Sequence, residues 1–293
     1  MEISQQPTLG SLVRHTVILA HREDTSLLEQ ALRSEGLDPF VQRKSNYSPL
    51  ETTYSRSIRC LMNHADAWRR AAGVSGHTLV VEADFVPCRG FCGLPAPFDP
   101  AIHGPLAWAF LYAGGPRIFR VLPGGYLWGH SCCSVAMLIS PEVAPHLADF
   151  ADELIRTTED LSAYSLWDTI FQWHMMGHQA RCFVPYRQYG EHGGLPNPEH
   201  RDSGSGILAG SRLFSLLGLG GNHHAECLWG PLMFLPAYAQ GSRLRYYRTR
   251  LTAKLVGLAR IFLGRVVEPN QSMSTTERLY ALWTAFRRLA SPY

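Results

Sequence analysis

The run LVVEADFVP, residues 79–87, constrains the fold more than any other stretch of the chain. Leu79, Val80 and Val81 are consecutive apolar residues and do not alternate with polar ones. An unbroken run of this kind suits a strand covered on both faces, the strand of a mostly parallel α/β sheet. The run then breaks into Glu82 and Asp84 and leaves through Pro87. Ligands of such sheets gather beyond the carboxyl ends of strands, so both acids fall where chemistry is expected. Residues two apart on a strand share a face. Glu82 and Asp84 can therefore reach one divalent cation, and hard oxygen ligands suit Mn²⁺ or Mg²⁺.

The rest of the chain agrees with an α/β class. HTVILAH (15–21) and PFVQR (39–43) read as strands around a helix TSLLEQALRSEGL, capped near Thr25 or Ser26 and ended by Gly36. Ile58, Leu61, Met62, Ala65 and Trp68 recur at helical spacing in a segment closed by Gly73. LAWAFLY (106–112) and SVAMLIS (134–140) read as further strands, between Gly- and Pro-rich loops at 87–105 and 113–125. Pro141 opens a helix, SLWDTIFQWHMMG (165–177) is helical, ARCFVP (180–185) is a strand, and a long loop, 186–206, carries YGEHGG and His200, with His223 and His224 further downstream. Strand–helix alternation up to about residue 186 argues for one α/β domain, 1–240, followed by a helical extension, 241–293.

Composition narrows the function classes. With 46% hydrophobic and 17% charged residues the chain can bury a core. No apolar stretch of membrane-spanning length occurs, and VILA runs straight into HRED without a signal-peptide pattern. Seven cysteines, an odd number in scattered positions, suit a reducing cytoplasm; CRGFC has zinc-like spacing but no matching second pair. The net charge of +3 conceals an asymmetry: from Gly241 onward ten basic residues stand against Glu268 and Glu277, leaving the first 240 residues near −5.

IRCLMNHADAW, followed about ten residues later by LVVEADFVP, resembles glycosyltransferase family 25, the lipooligosaccharide galactosyltransferase type. In that family a helix patterned I-G-C-x-x-S-H-x-x-x-W precedes an apolar strand ending in E-D-D. Ile58, Cys60, His64 and Trp68 match the helix, and Glu82 and Asp84 the outer acids. SVAMLISPEVAPHL and LWDTIFQW…CFVP are similar to later family segments, so the resemblance covers roughly residues 15–190. Ala83 replaces the middle acid, Arg59 a glycine, Asn63 a serine, and Met137 a common aromatic. The resemblance implies a GT-A-like (Rossmann-like) fold and hexose transfer, galactose or glucose, with inversion from a nucleotide-diphosphate sugar, UDP-linked by preference, to a cell-envelope glycan. It also implies Mn²⁺ or Mg²⁺ on the diphosphate. The rival reading is a nucleotide- or glycan-binding protein that keeps the fold without turnover; a third is a metal-dependent nucleotidyltransferase.

On this reading Asp84 is a metal ligand, and Glu82 either a second ligand or a contact to ribose or a water. His64 is either a core histidine or a nucleotide contact. Asp168, an acid in an apolar helix, corresponds to the family's late Asp and is the candidate base, with Glu191 as the alternative. His192 is the candidate third ligand, with the three downstream histidines as its competitors. Arg22, directly after the first strand, is the candidate phosphate clamp. LGLGG (217–221) lacks a strand–turn–helix frame and reads as a linker.

In the tail, Leu244, Tyr247, Leu251, Leu255, Leu258 and Phe262 fall at helical spacing beside arginines; Ser274 and Glu277 have capping-box spacing before a stripe of Leu279, Leu282, Trp283, Phe286 and Leu289. Two readings stand: a helical pair packed on the core, or a docking face for an anionic membrane on the cytoplasmic side. No nucleic-acid module is recognisable.

Overall fold

The structure, a computed structural model, describes residues 6–184, 187–193, 231–268 and 273–290. His200, His223, His224 and the LGLGG segment lie outside the described residues. In chain order the strands are β1 (Val13–Ala20), β2 (Pro39–Arg43), β3 (His77–Glu82), β4 (Phe85–Pro87), β5 (Ala107–Phe110), β6 (Gly114–Val121), β7 (Leu127–Cys132), β8 (Ala136–Ile139), β9 (Arg181–Phe183) and β10 (Gly190–His192). The helices are α1 (Leu9–Leu12), α2 (Ser26–Ser34), α3 (Arg56–Ala72), α4 (Pro100–His103), α5 (Ala144–Thr157), α6 (Trp167–Gly177), α7 (Arg243–Phe262) and α8 (Thr275–Ala290).

Eight strands form one sheet in the order β2-β1-β3-β8-β5-β9-β7-β6, and β4 pairs separately with β10. Parallel pairing joins β2 to β1, β1 to β3 and β5 to β9; the other neighbours are antiparallel. Only β7 and β8 run against the remaining six, so the sheet is mixed and mostly parallel in direction. It is an α/β sheet flanked by helices, as the strand–helix alternation requires.

Burial of β3 on both faces follows from its sequence. Leu79 and Val81 pack in one cluster with Leu28 and Leu32 of α2 and Phe91. Val80 faces the opposite cluster, with Leu61 and Trp68 of α3, Leu147 of α5 and Phe171 of α6. Each fully enclosed aliphatic side chain is worth roughly 1.5–3 kcal/mol of transfer free energy, so this strand is anchored from two sides. Its carboxyl end is therefore a rigid platform.

Several expectations are corrected. The segment 113–125 is not all loop: β6 begins at Gly114 and pairs with β7 as a hairpin. Pro116 is tolerated because β6 is the sheet's edge strand. YGEHGG is not an open loop; Gly190, Glu191 and His192 pair with Pro87, Val86 and Phe85. Glycine is needed at 190 and 193, where an added Cβ would run into the Phe85 ring and the Asp84 carbonyl oxygen respectively. Regular helix in α5 starts at Ala144, after a turn in which the Val143 N–H donates to the Ser140 hydroxyl.

The tail docks at the β6 end of the sheet. Val266, Val267, Met273 and Ala281 share a cluster with Ile118, Leu127 and Val184, and Arg117 pairs with Glu268 at 3.0 Å. The capping box at the start of α8 forms as its spacing predicts, with the Glu277 N–H donating to the Ser274 hydroxyl. The α7 stripe does not pack on the core: Leu244, Tyr247, Leu251, Leu255 and Phe262 are exposed, and Arg250, Ala253, Lys254 and Gly257 are the buried positions.

Candidate active site

β3 ends at Glu82, and Ala83 and Asp84 form a tight turn into β4. The Ala83 N–H donates to the Leu19 carbonyl of β1 at 2.9 Å, and the Glu82 N–H to the Val135 carbonyl at 2.8 Å. The turn is thus clamped by both neighbouring strands. Antiparallel pairing of β4 with β10 then carries His192 back beside it, within 2.5 Å of Asp84 (Nε2 to Oδ2).

One ligand atom each from Glu82, Asp84 and His192 lie within 4.8 Å of one another. Two carboxylates and an imidazole at this separation are compatible with a divalent cation. Burial opposes charge on His192, but the Asp84 carboxylate, its hydrogen bond and the Glu82 charge prevail and hold the imidazole above its ordinary value.

Glu82 is held from behind. The buried His64 ring places Nε2 2.9 Å from Glu82 Oε1, and the Ser134 hydroxyl donates to the same oxygen at 3.3 Å. A carboxylate only accepts, so Nε2 carries the proton. Trp68 and Trp167 flank the ring, with centroids 5.5 and 5.1 Å away. Cys60, one turn before His64, brings its thiol to 4.0 Å from the same oxygen. Oε2 of Glu82 makes no hydrogen bond among the described residues. His64 is fully enclosed and hydrogen-bonded to Glu82, the placement of a core histidine that orients the carboxylate.

Asp168 lies in the first turn of α6, whose N-terminus reaches the same edge of the sheet. Burial and the nearby Glu82 carboxylate raise its pKa to about 6, against a hydrogen bond from the Cys133 N–H that lowers it. A carboxyl group poised near neutral pH has the property required of a base. Cys133 itself sits at φ 73°, a left-handed backbone position in the β7–β8 connection, and its N–H is the group that reaches Asp168.

The remaining candidates separate. Arg22 is exposed in the bend after β1, on the same edge as Glu82, where Leu19 is its register partner. Glu191 faces the other way from His192 and is fully buried: Tyr238 donates to it at 2.7 Å, and Arg250 of α7 pairs with it at 3.2 Å. Of the two candidate bases, Glu191 is enclosed and paired with Arg250, whereas Asp168 stands close enough to Glu82 to feel its charge. A cavity of about 550 Å³, lined by Arg89, Phe234, Tyr246 and others, opens beyond the far end of β4, and none of the three candidate ligands lines it. Ser134 and the Cys133 N–H were not singled out from sequence. Their relevance depends on β8 running antiparallel to β3, which brings the start of β8 to the end of β3.

No protein-family model matches the chain, and no curated protein matches it. Among solved structures the chain is similar to a glycosyltransferase involved in the glycosylation of the major capsid of PBCV-1. That likeness has a TM-score of 0.38 and 11% identity, over 59% of this chain and 82% of that chain.

Proposed function

We propose that the chain is a metal-dependent, inverting glycosyltransferase of GT-A-like fold, a divergent relative of family 25, that uses a nucleoside-diphosphate sugar. The observation that carries this reading is the meeting of Glu82, Asp84 and His192 at the carboxyl end of a buried strand, with a carboxyl group of pKa about 6 beside them. Mn²⁺ held by the three would neutralise charge developing on the departing diphosphate.

The chain's own residues divide the remaining work. His64 and Ser134 fix Glu82 Oε1 and leave Oε2 for the ion or a ribose hydroxyl. Arg22 supplies a positive charge at the end of β1 for phosphate oxygens. Asp168, ionised above about pH 6, accepts the proton of the acceptor hydroxyl as its oxygen attacks the anomeric carbon from the face opposite the diphosphate. Ala83 takes nothing from this arrangement, because the outer acids are the ones that converge with His192. A hexose, galactose or glucose, is the donor sugar favoured by the family resemblance, and a cell-envelope glycan the acceptor.

The test is release of nucleoside diphosphate from a panel of nucleotide sugars, with and without Mn²⁺. Metal-dependent release from one donor is the expected outcome. Binding of nucleotide with no release from any donor would make the protein a non-catalytic binder, and pyrophosphate as product would make it a nucleotidyltransferase.

A further inference from the structure

α7 is inverted relative to an ordinary surface helix. Leu244 is 79% exposed, Tyr247 61%, Leu251 53%, Leu255 57% and Phe262 84%, whereas the charged Arg250 and Lys254 are buried. At 100° per residue the five exposed side chains fall within a stripe about 80° wide along the 20-residue helix. None of the described residues covers it. Exposed Arg243, Arg245 and Arg248 border the stripe, and α7 contains no acidic residue. α8 repeats the pattern: Leu279, Trp283 and Phe286 are exposed, with Arg278 and Arg287 beside them.

An apolar stripe alone does not identify its partner, but the charge around it does. A second copy of the same face would set arginines against arginines. A surface of lipid acyl chains beneath anionic headgroups complements both features at once, and Tyr247, Tyr280 and Trp283 are the residue types that prefer such a boundary. The buried Arg250 is accounted for within the fold, since it neutralises Glu191. Inversion of the helix therefore meets an internal need, and its consequence is that the apolar residues face outward.

We propose that α7, with α8 beside it, is a docking face by which the folded protein lies on an anionic membrane surface, inserting Leu244, Tyr247, Leu251, Leu255 and Phe262 into the headgroup boundary. This proposal is independent of the glycosyltransferase reading, because binding is read without any donor or metal.

The experiment is flotation of the full chain with vesicles of phosphatidylcholine alone, or of phosphatidylcholine with about one-third phosphatidylglycerol. Binding to the anionic vesicles at low salt is expected, with at least a tenfold weaker partition to neutral vesicles and a similar loss in 0.5 M NaCl. Leu251→Asp/Leu255→Asp should lose at least tenfold in partition while melting like the parent protein, as both sites are exposed. Arg243→Ser/Arg245→Ser/Arg248→Ser should lose the preference for anionic lipid. Equal binding to both vesicle types, undiminished binding by the Asp variant, or no binding at all overturns the proposal. So does a stable dimer, seen by light scattering without lipid, that the Asp variant abolishes.

Discussion

Replacing Asp168 by Asn should stabilise the protein while removing its activity, and the size of that gain can be worked out. Asp168 has its pKa raised from 3.8 to about 6 by burial and by the Glu82 carboxylate. The folded state therefore binds this proton more tightly than the unfolded chain does. Well below pH 3.8 the group is protonated in both states and has no net effect. As pH rises from about 4 to 6 the unfolded chain releases the proton first, and folding stability falls. Above about 6 the loss is complete and constant. A shift of about two pKa units corresponds to a ceiling of roughly 3 kcal/mol. Partial solvent access reduces this to about 1–2 kcal/mol. Asn keeps an oxygen that accepts from the Cys133 N–H and removes the charge, so the variant should be the more stable protein by about that amount at pH 8. The difference should shrink to about 0.5 kcal/mol or less at pH 4. Urea unfolding in EDTA at unit intervals from pH 4 to 8 measures it, since chelation removes any cation that would itself draw the carboxylates down. A stability difference that stays flat across this range, or a variant less stable than the parent at pH 8, would refute the reasoning. The same substitution should lower transfer by about 10²–10⁴-fold, and parent activity should climb as pH passes through about 6.

Other outcomes follow from the same geometry. Mn²⁺ at about 100 times its dissociation constant should stabilise the parent by roughly 2.7 kcal/mol; Asp84→Ala and His192→Ala should each abolish that thermal shift, and a full shift in either would remove the proposed ligand set. His64→Leu removes the group that orients Glu82 and should weaken Mn²⁺ binding by about 10–100-fold in a protein that still folds, checked by titration calorimetry against circular dichroism. Arg250→Met strands the buried Glu191 charge and should cost about 3–5 kcal/mol, most of it recovered in Glu191→Gln/Arg250→Met; chemical denaturation of both variants decides this. Gly193→Ala pushes a Cβ against the Asp84 carbonyl and should destabilise by about 1–3 kcal/mol while weakening Mn²⁺ binding.

The sequence by itself determined the local, periodic part of this protein. LVV specified a strand buried on both faces, Ile58 to Trp68 specified one helix face, and the acids at 82 and 84 marked the strand's exit, because side-chain alternation and helical repeat are written in neighbouring residues. Asp168 and His192 were legible as candidates through residue type and family pattern, before any geometry related them. Tertiary structure alone decided which groups meet. Antiparallel β8 delivers Ser134 to Glu82, the β4–β10 ladder brings His192 to Asp84, and Glu191, one residue away, turns inward to Arg250. It also decided which face of α7 is buried: the apolar periodicity pointed to the stripe, but a buried carboxylate needed a cation, and Arg250 supplied it by rotating the stripe outward. Pairing a buried charge outweighs burying a few more leucines, and that balance depends on residues about sixty positions apart in the chain.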